Sequence, residues 1–180
     1  MIGTPIGNLD DISKRVLDTL GSLDALACED TRHTRKIYEH FSLLSPRTIF
    51  SCHDHNEDRA VGRIAGLLRQ GLRVGLVTDA GMPGISDPGF RAVQRATEEG
   101  FHVEVVPGPT AVATALAVSG LSAASYTFKG FPPRKPGKRR NFLAADAESE
   151  HTQVLFESPH RLGAMLADAL AVFGDRRTAV

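Results

Sequence analysis

Cysteine is scarce in this sequence, with only Cys28 and Cys52 in 180 residues. The pair suits a reducing compartment rather than a disulfide framework. With 42% hydrophobic residues, a chain of this length buries a core without disulfide or metal. An excess of one charge is lacking too: Lys+Arg and Asp+Glu are both 21, for a formal net charge of zero. That excludes a protein that coats nucleic acid by charge alone, while a local basic patch stays open. No apolar run approaches the roughly 20 residues of a membrane span, and no signal-peptide pattern opens the sequence. A cytoplasmic protein with no membrane attachment is the expectation. Internal repeats are missing, as are the G-x-G-x-x-G fingerprint and the Gly-Lys-Ser/Thr ending of a P-loop.

What is present is an alternation of helix and strand signals. Asp10 or Asp11 is positioned to cap a helix through Ile12, Val16, Leu17 and Leu20, stopped by Gly21. Leu23–Cys28 reads as a strand ending at Glu29-Asp30, and Thr31 caps a helix carrying Ile37, Tyr38 and Phe41. Thr48–Cys52 is a further strand, and Asn56 opens a helix through Val61, Ile64 and Leu68. Val74–Thr78 is a buried strand with Asp79 at its carboxyl end; Pro88 starts the next helix, and Val103–Val106 follows as a strand. Such alternation predicts an α/β fold with a parallel sheet covered by helices. Pro107-Gly108-Pro109 marks a boundary, so the expected domains are 1–107 and 110–180. The second holds an Ala-rich helix (110–119), a strand near Tyr126–Lys129, a basic loop, a short helix and the strand Thr152–Phe156. A last helix starts at Ser158-Pro159, with Leu162, Met165, Leu166, Ala169, Leu170 and Phe173 on one face, and stops at Gly174. Both ends read as unfinished: the turn at Gly3–Asn8 follows only two residues, and Arg177–Val180 reads as a strand just beginning. A fragment with its first strand largely missing and its second domain incomplete is expected.

Ligands of parallel sheets collect at the carboxyl ends of the strands, and the chemistry-bearing motifs fall there. The Asp79–Gly89 loop packs three glycines and two prolines into eleven residues, longer than the roughly 2–6 residues of an ordinary strand-to-helix connection. Glycine lets backbone approach a ligand, and proline stiffens the loop. Gly3–Asn8 is a similar turn, structural or part of a site. Glu29-Asp30-Thr31-Arg32-His33 places two acids, a cation and an imidazole at one strand end, more than a helix cap requires. His53 and His55 invite zinc, but no third ligand stands at recognisable spacing, so no metal is expected. Arg134–Arg140 holds five cations in seven residues and follows Lys129 and Phe131. It suits either a solvated loop or a phosphate-contacting one. Glu157-Ser158-Pro159-His160-Arg161 sits at another strand-to-helix junction, where Ser158 and Pro159 suit a helix start.

Seven segments (Thr4–Leu9, Glu29–Thr34, His53–Glu57, Asp79–Gly89, Pro107–Pro109, Gly130–Lys135 and Glu157–Arg161) occur in the order of one family. Together they resemble the bacterial 16S rRNA (cytidine-2′-O)-methyltransferases, within the tetrapyrrole-methylase-like superfamily. The resemblance implies two α/β domains with S-adenosyl-L-methionine in the cleft between them, and a homodimer. It implies methylation of a cytidine ribose 2′-hydroxyl in the decoding region of 16S rRNA, on the small ribosomal subunit. By that likeness Pro5, Gly81, Met82, Pro83, Ile85, Ser86, Thr110 and Ala111 line the cofactor pocket. Thr110 stands where serine is commoner, and keeps the hydroxyl. The transferred methyl requires the 2′-hydroxyl to lose a proton, for which Asp30, Glu29 and His33 are the candidates. Arg32, Arg134, Lys135, Lys138, Arg139 and Arg140 are the expected RNA contacts. Rival readings are a methyltransferase of small tetrapyrroles, an RNA-binding module without catalysis, and a metal hydrolase built on His53 and His55.

Overall fold

The computed structural model describes residues 1–180, which separate into two compact units, Met1–Ala111 and Val112–Val180. In the first unit three short strands, β1 (Ala25–Cys28), β2 (Thr48–Ser51) and β3 (Val74–Val77), form a parallel sheet in the order β2-β1-β3. Central β1 has no solvent exposure at any residue from Ala25 to Cys28, as a strand buried on both faces requires. Its register pairs Cys28 with Ser51 on one side and Val77 on the other. Residues 29–30 and 78–79 therefore emerge side by side.

Met1–Gly3 extends this sheet beyond β3. The Ile2 amide donates to the Leu76 carbonyl at 3.0 Å, and the Gly3 amide to the Val106 carbonyl at 3.0 Å. The strand expected at Val103–Val106 is reduced to a single parallel bridge between Ile2 and Val106. Its neighbour leaves the sheet at Thr4 to form an antiparallel bridge with Gly81, so no ladder develops.

Four helices accompany the sheet: α1 (Lys14–Leu20), α2 (Thr31–His40), α3 (Glu57–Arg69) and α4 (Phe90–Glu98). Val16, Leu20, Ile37 and Tyr38 pack with Leu26 and Cys28, while Ala60, Ile64 and Ala92 pack with Ala27, Phe50 and Leu76. Several starts differ from the expected ones. Asn8 caps a 3-10 turn at Leu9–Asp11, which takes Asp10 and Asp11 out of contention, and the Ser13 hydroxyl caps α1 by accepting from Val16 N. Asp30 rather than Thr31 caps α2. Asn56 precedes α3, but its side chain turns back to Ser51 and His53 instead of capping. Pro88 lies outside α4, because Gly89 follows it with φ 143°, far from helical geometry.

The second unit holds α5 (Ala111–Val118, whose first residue closes the first unit), β4 (Tyr126–Phe128), α6 (Pro136–Ala144), β5 (Thr152–Val154) and α7 (Leu162–Phe173). β4 and β5 pair in parallel. The segment expected as a basic loop enters α6 at Pro136, which fits the first turn of a helix because it lacks an N–H. α7 begins at Leu162, not at Ser158-Pro159. Glu157 accepts from Ser158 N at 2.7 Å and pairs with Arg161, which holds those residues in a turn. The expected apolar face of α7 is also only partly right: Leu170 is 60% exposed, while Asp168 is buried against α6.

Candidate active site

Three backbone segments meet at the carboxyl end of the first sheet: residues 3–6, the 79–89 loop and the 107–109 turn. Gly3 and Gly108 touch through their main chains: a Cβ on Gly3 would lie 2.6 Å from Gly108 N, and one on Gly108 2.8 Å from Gly3 Cα. Neither position tolerates a side chain. The Met82 sulfur accepts from Gly108 N at 3.3 Å, tying the 79–89 loop to the 107–109 turn. Thr4, 1% exposed, exchanges backbone hydrogen bonds with Gly81 at 2.9 and 3.1 Å, and its hydroxyl donates to Thr78 O at 3.1 Å. Gly81 has φ 86°, and a Cβ there would sit 3.4 Å from the Ile6 methyl and 3.6 Å from Pro109 O. The absent side chain leaves a small cradle bounded by all three segments.

The rest of the 79–89 loop is folded tightly on itself. Gly84 N donates to Pro88 O at 3.1 Å and Ile85 N to Met82 O at 3.3 Å. Ser86 adopts φ 61°, a left-handed conformation that costs a residue with a side chain about 1–3 kcal/mol. Of the expected cofactor residues, Pro5, Gly81 and Pro83 are buried, Met82 and Thr110 half-buried, and Ile85, Ser86 and Ala111 exposed. All eight fall within the first unit.

Acidic groups converge beside this cradle. Asp30 N donates to Asp79 Oδ1 at 3.1 Å, and Asp79 N donates to Glu29 Oε2 at 3.2 Å, a reciprocal lacing of two strand ends. The Asp30 carboxylate is fully occupied by Arg32: Oδ1 accepts from its backbone N at 2.8 Å, and Oδ2 from Nη2 at 2.6 Å. These bonds hold the Asp30 carboxyl well below the usual carboxylate range, which makes it a poor proton acceptor near neutrality. Asp87 is the opposite case. Burial, then the charge of Glu29, push its carboxyl up to about 6. Neither Asp79 nor Asp87 stood among the catalytic candidates. They sit 50 and 58 residues from Glu29; the β1–β3 register brings Asp79 beside it and the 79–89 loop brings Asp87. The available signal was an acid near each end of the glycine-rich loop. His33 is exposed on the first turn of α2.

The basic segment of the second unit divides in two. Arg139 is 4% exposed and its Nε donates to Asp168 at 2.7 Å, while Arg140 reaches the other oxygen of Asp168 at 2.7 Å. Arg140 and Arg139 together hold the Asp168 carboxyl below its ordinary value. Arg139 is thereby an internal clamp between α6 and α7, which removes it as an RNA contact, and Arg140 is largely committed to the same acid. Arg134, Lys135 and Lys138 stay exposed. Arg32 is exposed while bound to Asp30.

Elsewhere, His53 and His55 lie edge to face with ring centroids 6.1 Å apart, and no group of three or more potential ligands is placed to hold a metal. An apolar cleft of about 340 Å³ in the first unit, lined by Met1, Leu23, Val74, Leu76, Ala92 and His102 among others, includes none of the carboxyl-end loops. No helix is long and apolar enough to cross a membrane.

The fold is shared with solved structures of low sequence identity. It superimposes on the crystal structure of diphthine synthase with TM-score 0.68 at 15% identity, covering 95% of this chain and 71% of that one. It superimposes on uroporphyrin-III-C-methyltransferase from Thermus thermophilus with TM-score 0.62 at 21% identity, covering 94% and 71%. At these identities the likeness establishes the fold alone. The pattern of the tetrapyrrole (corrin/porphyrin) methylases matches residues 1–180, and the chain belongs to that family. Within it, the chain is similar to proteins named ribosomal RNA small subunit methyltransferase I. One, from Vibrio cholerae, is 46% identical over 180 residues, all of this chain and 62% of that protein. Another, from Thermotoga maritima, is 42% identical over 176 residues, 98% of this chain and 78% of that protein. The chain thus spans somewhat under two thirds of the length of most curated relatives it matches.

Proposed function

We propose that this chain is the S-adenosyl-L-methionine-binding part of a cytoplasmic, homodimeric enzyme that methylates a cytidine ribose 2′-hydroxyl in the decoding region of 16S rRNA. The observation that carries the reading is 42–46% identity, along essentially the whole chain, to relatives named for methylating small-subunit ribosomal RNA. The residues present suit the cofactor. Gly81 leaves a cradle that a side chain would fill, walled by the Ile6 methyl and the Pro109 carbonyl. The sulfonium and ammonium charges of the cofactor favour the negative potential of Glu29, Asp79 and Asp87.

When bound, S-adenosyl-L-methionine supplies the methyl group, by in-line displacement at carbon. The protein has to hold the ribose oxygen in line and take its proton; positioning alone is worth several kcal/mol. Among the acids at this end of the sheet, Asp87 has the proton affinity suited to a base near neutral pH. Asp30 serves instead to cap α2 and orient Arg32 toward the RNA backbone. Glu29 adds its charge beside Asp87, and His33 stays exposed on the first turn of α2. Arg134, Lys135 and Lys138 contact phosphates.

Methylation of isolated small subunits by Asp87→Asn and Asp30→Asn tests this division. Loss of a general base lowers turnover by about 10²–10⁴-fold, so that drop is expected in Asp87→Asn, with a raised KM and near-normal kcat in Asp30→Asn. The reverse pattern would move the base to Asp30.

A further inference from the structure

We infer that Phe131 is a stacking platform for an unpaired base of the RNA, a role that rests on the ribosomal-RNA reading above. The side chain is 55% exposed, although covering an aromatic ring is favourable. Backbone geometry presents it. Gly130 has φ 64°, which residues with side chains rarely adopt, and its carbonyl accepts the Phe156 amide at 2.9 Å. On the other side Pro132 is buried, and a following proline restricts Phe131 to extended backbone. The ring is thus held at the carboxyl end of the β4–β5 pair on a short stiff segment, with little freedom to lose on binding.

Two more rings back it. Phe131 lies against Phe156 with centroids 5.5 Å apart, and Phe156 meets Phe128 edge-on at 4.8 Å. Several charges near the ring in sequence are already paired. Lys129 is spent on Asp146, Arg139 and Arg140 on Asp168, and Glu157 is neutralised by Arg161. Arg134, Lys135 and Lys138, three to seven residues further on, are exposed cations outside those pairs. An exposed aromatic face beside unpaired cations matches a single-stranded nucleic acid, whose bases offer a π-face and whose backbone offers phosphates. A single ring is too small for a protein partner, which needs roughly 800 Å² per side.

The chain contains no tryptophan, so Phe131→Trp introduces a lone reporter at the site. Titration of this variant with an unpaired decamer RNA is expected to quench its fluorescence, and the abasic decamer of equal charge to leave it unchanged. Phe131→Ala is expected to weaken decamer binding roughly tenfold, and Phe131→Tyr to restore it. Lys135→Ala with Lys138→Ala is expected to weaken the intact and the abasic decamer alike. Unchanged decamer affinity in Phe131→Ala, together with equal quenching by both decamers, overturns the platform while leaving the RNA reading intact. If the unsubstituted chain binds neither decamer nor small subunits, the RNA reading falls and the platform with it. Conversion from dimer to monomer in Phe131→Ala, seen by sedimentation, would mark the ring as a subunit contact and likewise overturn the proposal.

Discussion

Asp30 and Asp87 are the same amino acid at the same end of one sheet, and their surroundings drive them in opposite directions. Arg32 donates to the Asp30 carboxylate through its backbone N, Nε and Nη2, whereas Asp87 is half-buried among other carboxylates. The consequence for Asp87 can be read in stability. Its folded-state value of about 6 exceeds the ordinary 3.8, so between those values the unfolded chain has released a proton that the folded one still holds. Stability therefore falls as pH rises through that window and stays lowered above it, by up to about 3 kcal/mol for a two-unit difference. Asp87→Asn is expected to melt at a higher temperature than the parent at pH 7.5 and at nearly the same temperature at pH 3.5. Equal differences at both pH values would contradict the assignment. The glycines and prolines of the 79–89 loop were legible in the sequence because special backbone geometry leaves a compositional mark. Asp87 as a perturbed acid was not, since its shift comes from burial and then from Glu29, a residue 58 positions away, and only folding supplies either.

At the scale of elements, caps and packing decide where each segment starts and what it covers. Ser13→Ala removes the bond to Val16 N and is expected to cost about 1 kcal/mol; Asp10→Ala and Asp11→Ala are expected to cost far less. Leu26 has no exposure in the central strand, so Leu26→Ala is expected to lose about 2–5 kcal/mol in urea unfolding. In the second unit, Asp168→Ala leaves two guanidinium groups without their partner and is expected to lower the melting temperature more than Lys138→Ala does. The alternation of helix and strand was legible from hydrophobic spacing, and with it the parallel sheet. Individual helix starts were less so, because several plausible caps stand within a few residues and tertiary bonds choose among them. The basic segment illustrates the same limit. Its composition points outward to phosphate, yet Arg139 and Arg140 find Asp168, 29 and 28 residues on.

The whole molecule has no net charge, so the proposed attraction to RNA has to come from a local patch. Three exposed cations, Arg134, Lys135 and Lys138, correspond to a slope of about −2 for log affinity against log salt on single-stranded RNA. A slope near zero in filter binding would remove phosphate contact by this segment. The family was legible from seven short motifs in order, and the chain's full-length match to the tetrapyrrole methylases agrees. The central claim is that the Gly81 cradle receives S-adenosyl-L-methionine, and calorimetric titration tests it most directly when run against Gly81→Arg, with thermal melts to verify that both proteins are folded. Saturable binding to the parent that disappears in the folded variant is the predicted result. Undiminished binding to Gly81→Arg, or no binding to a folded parent, would contradict it.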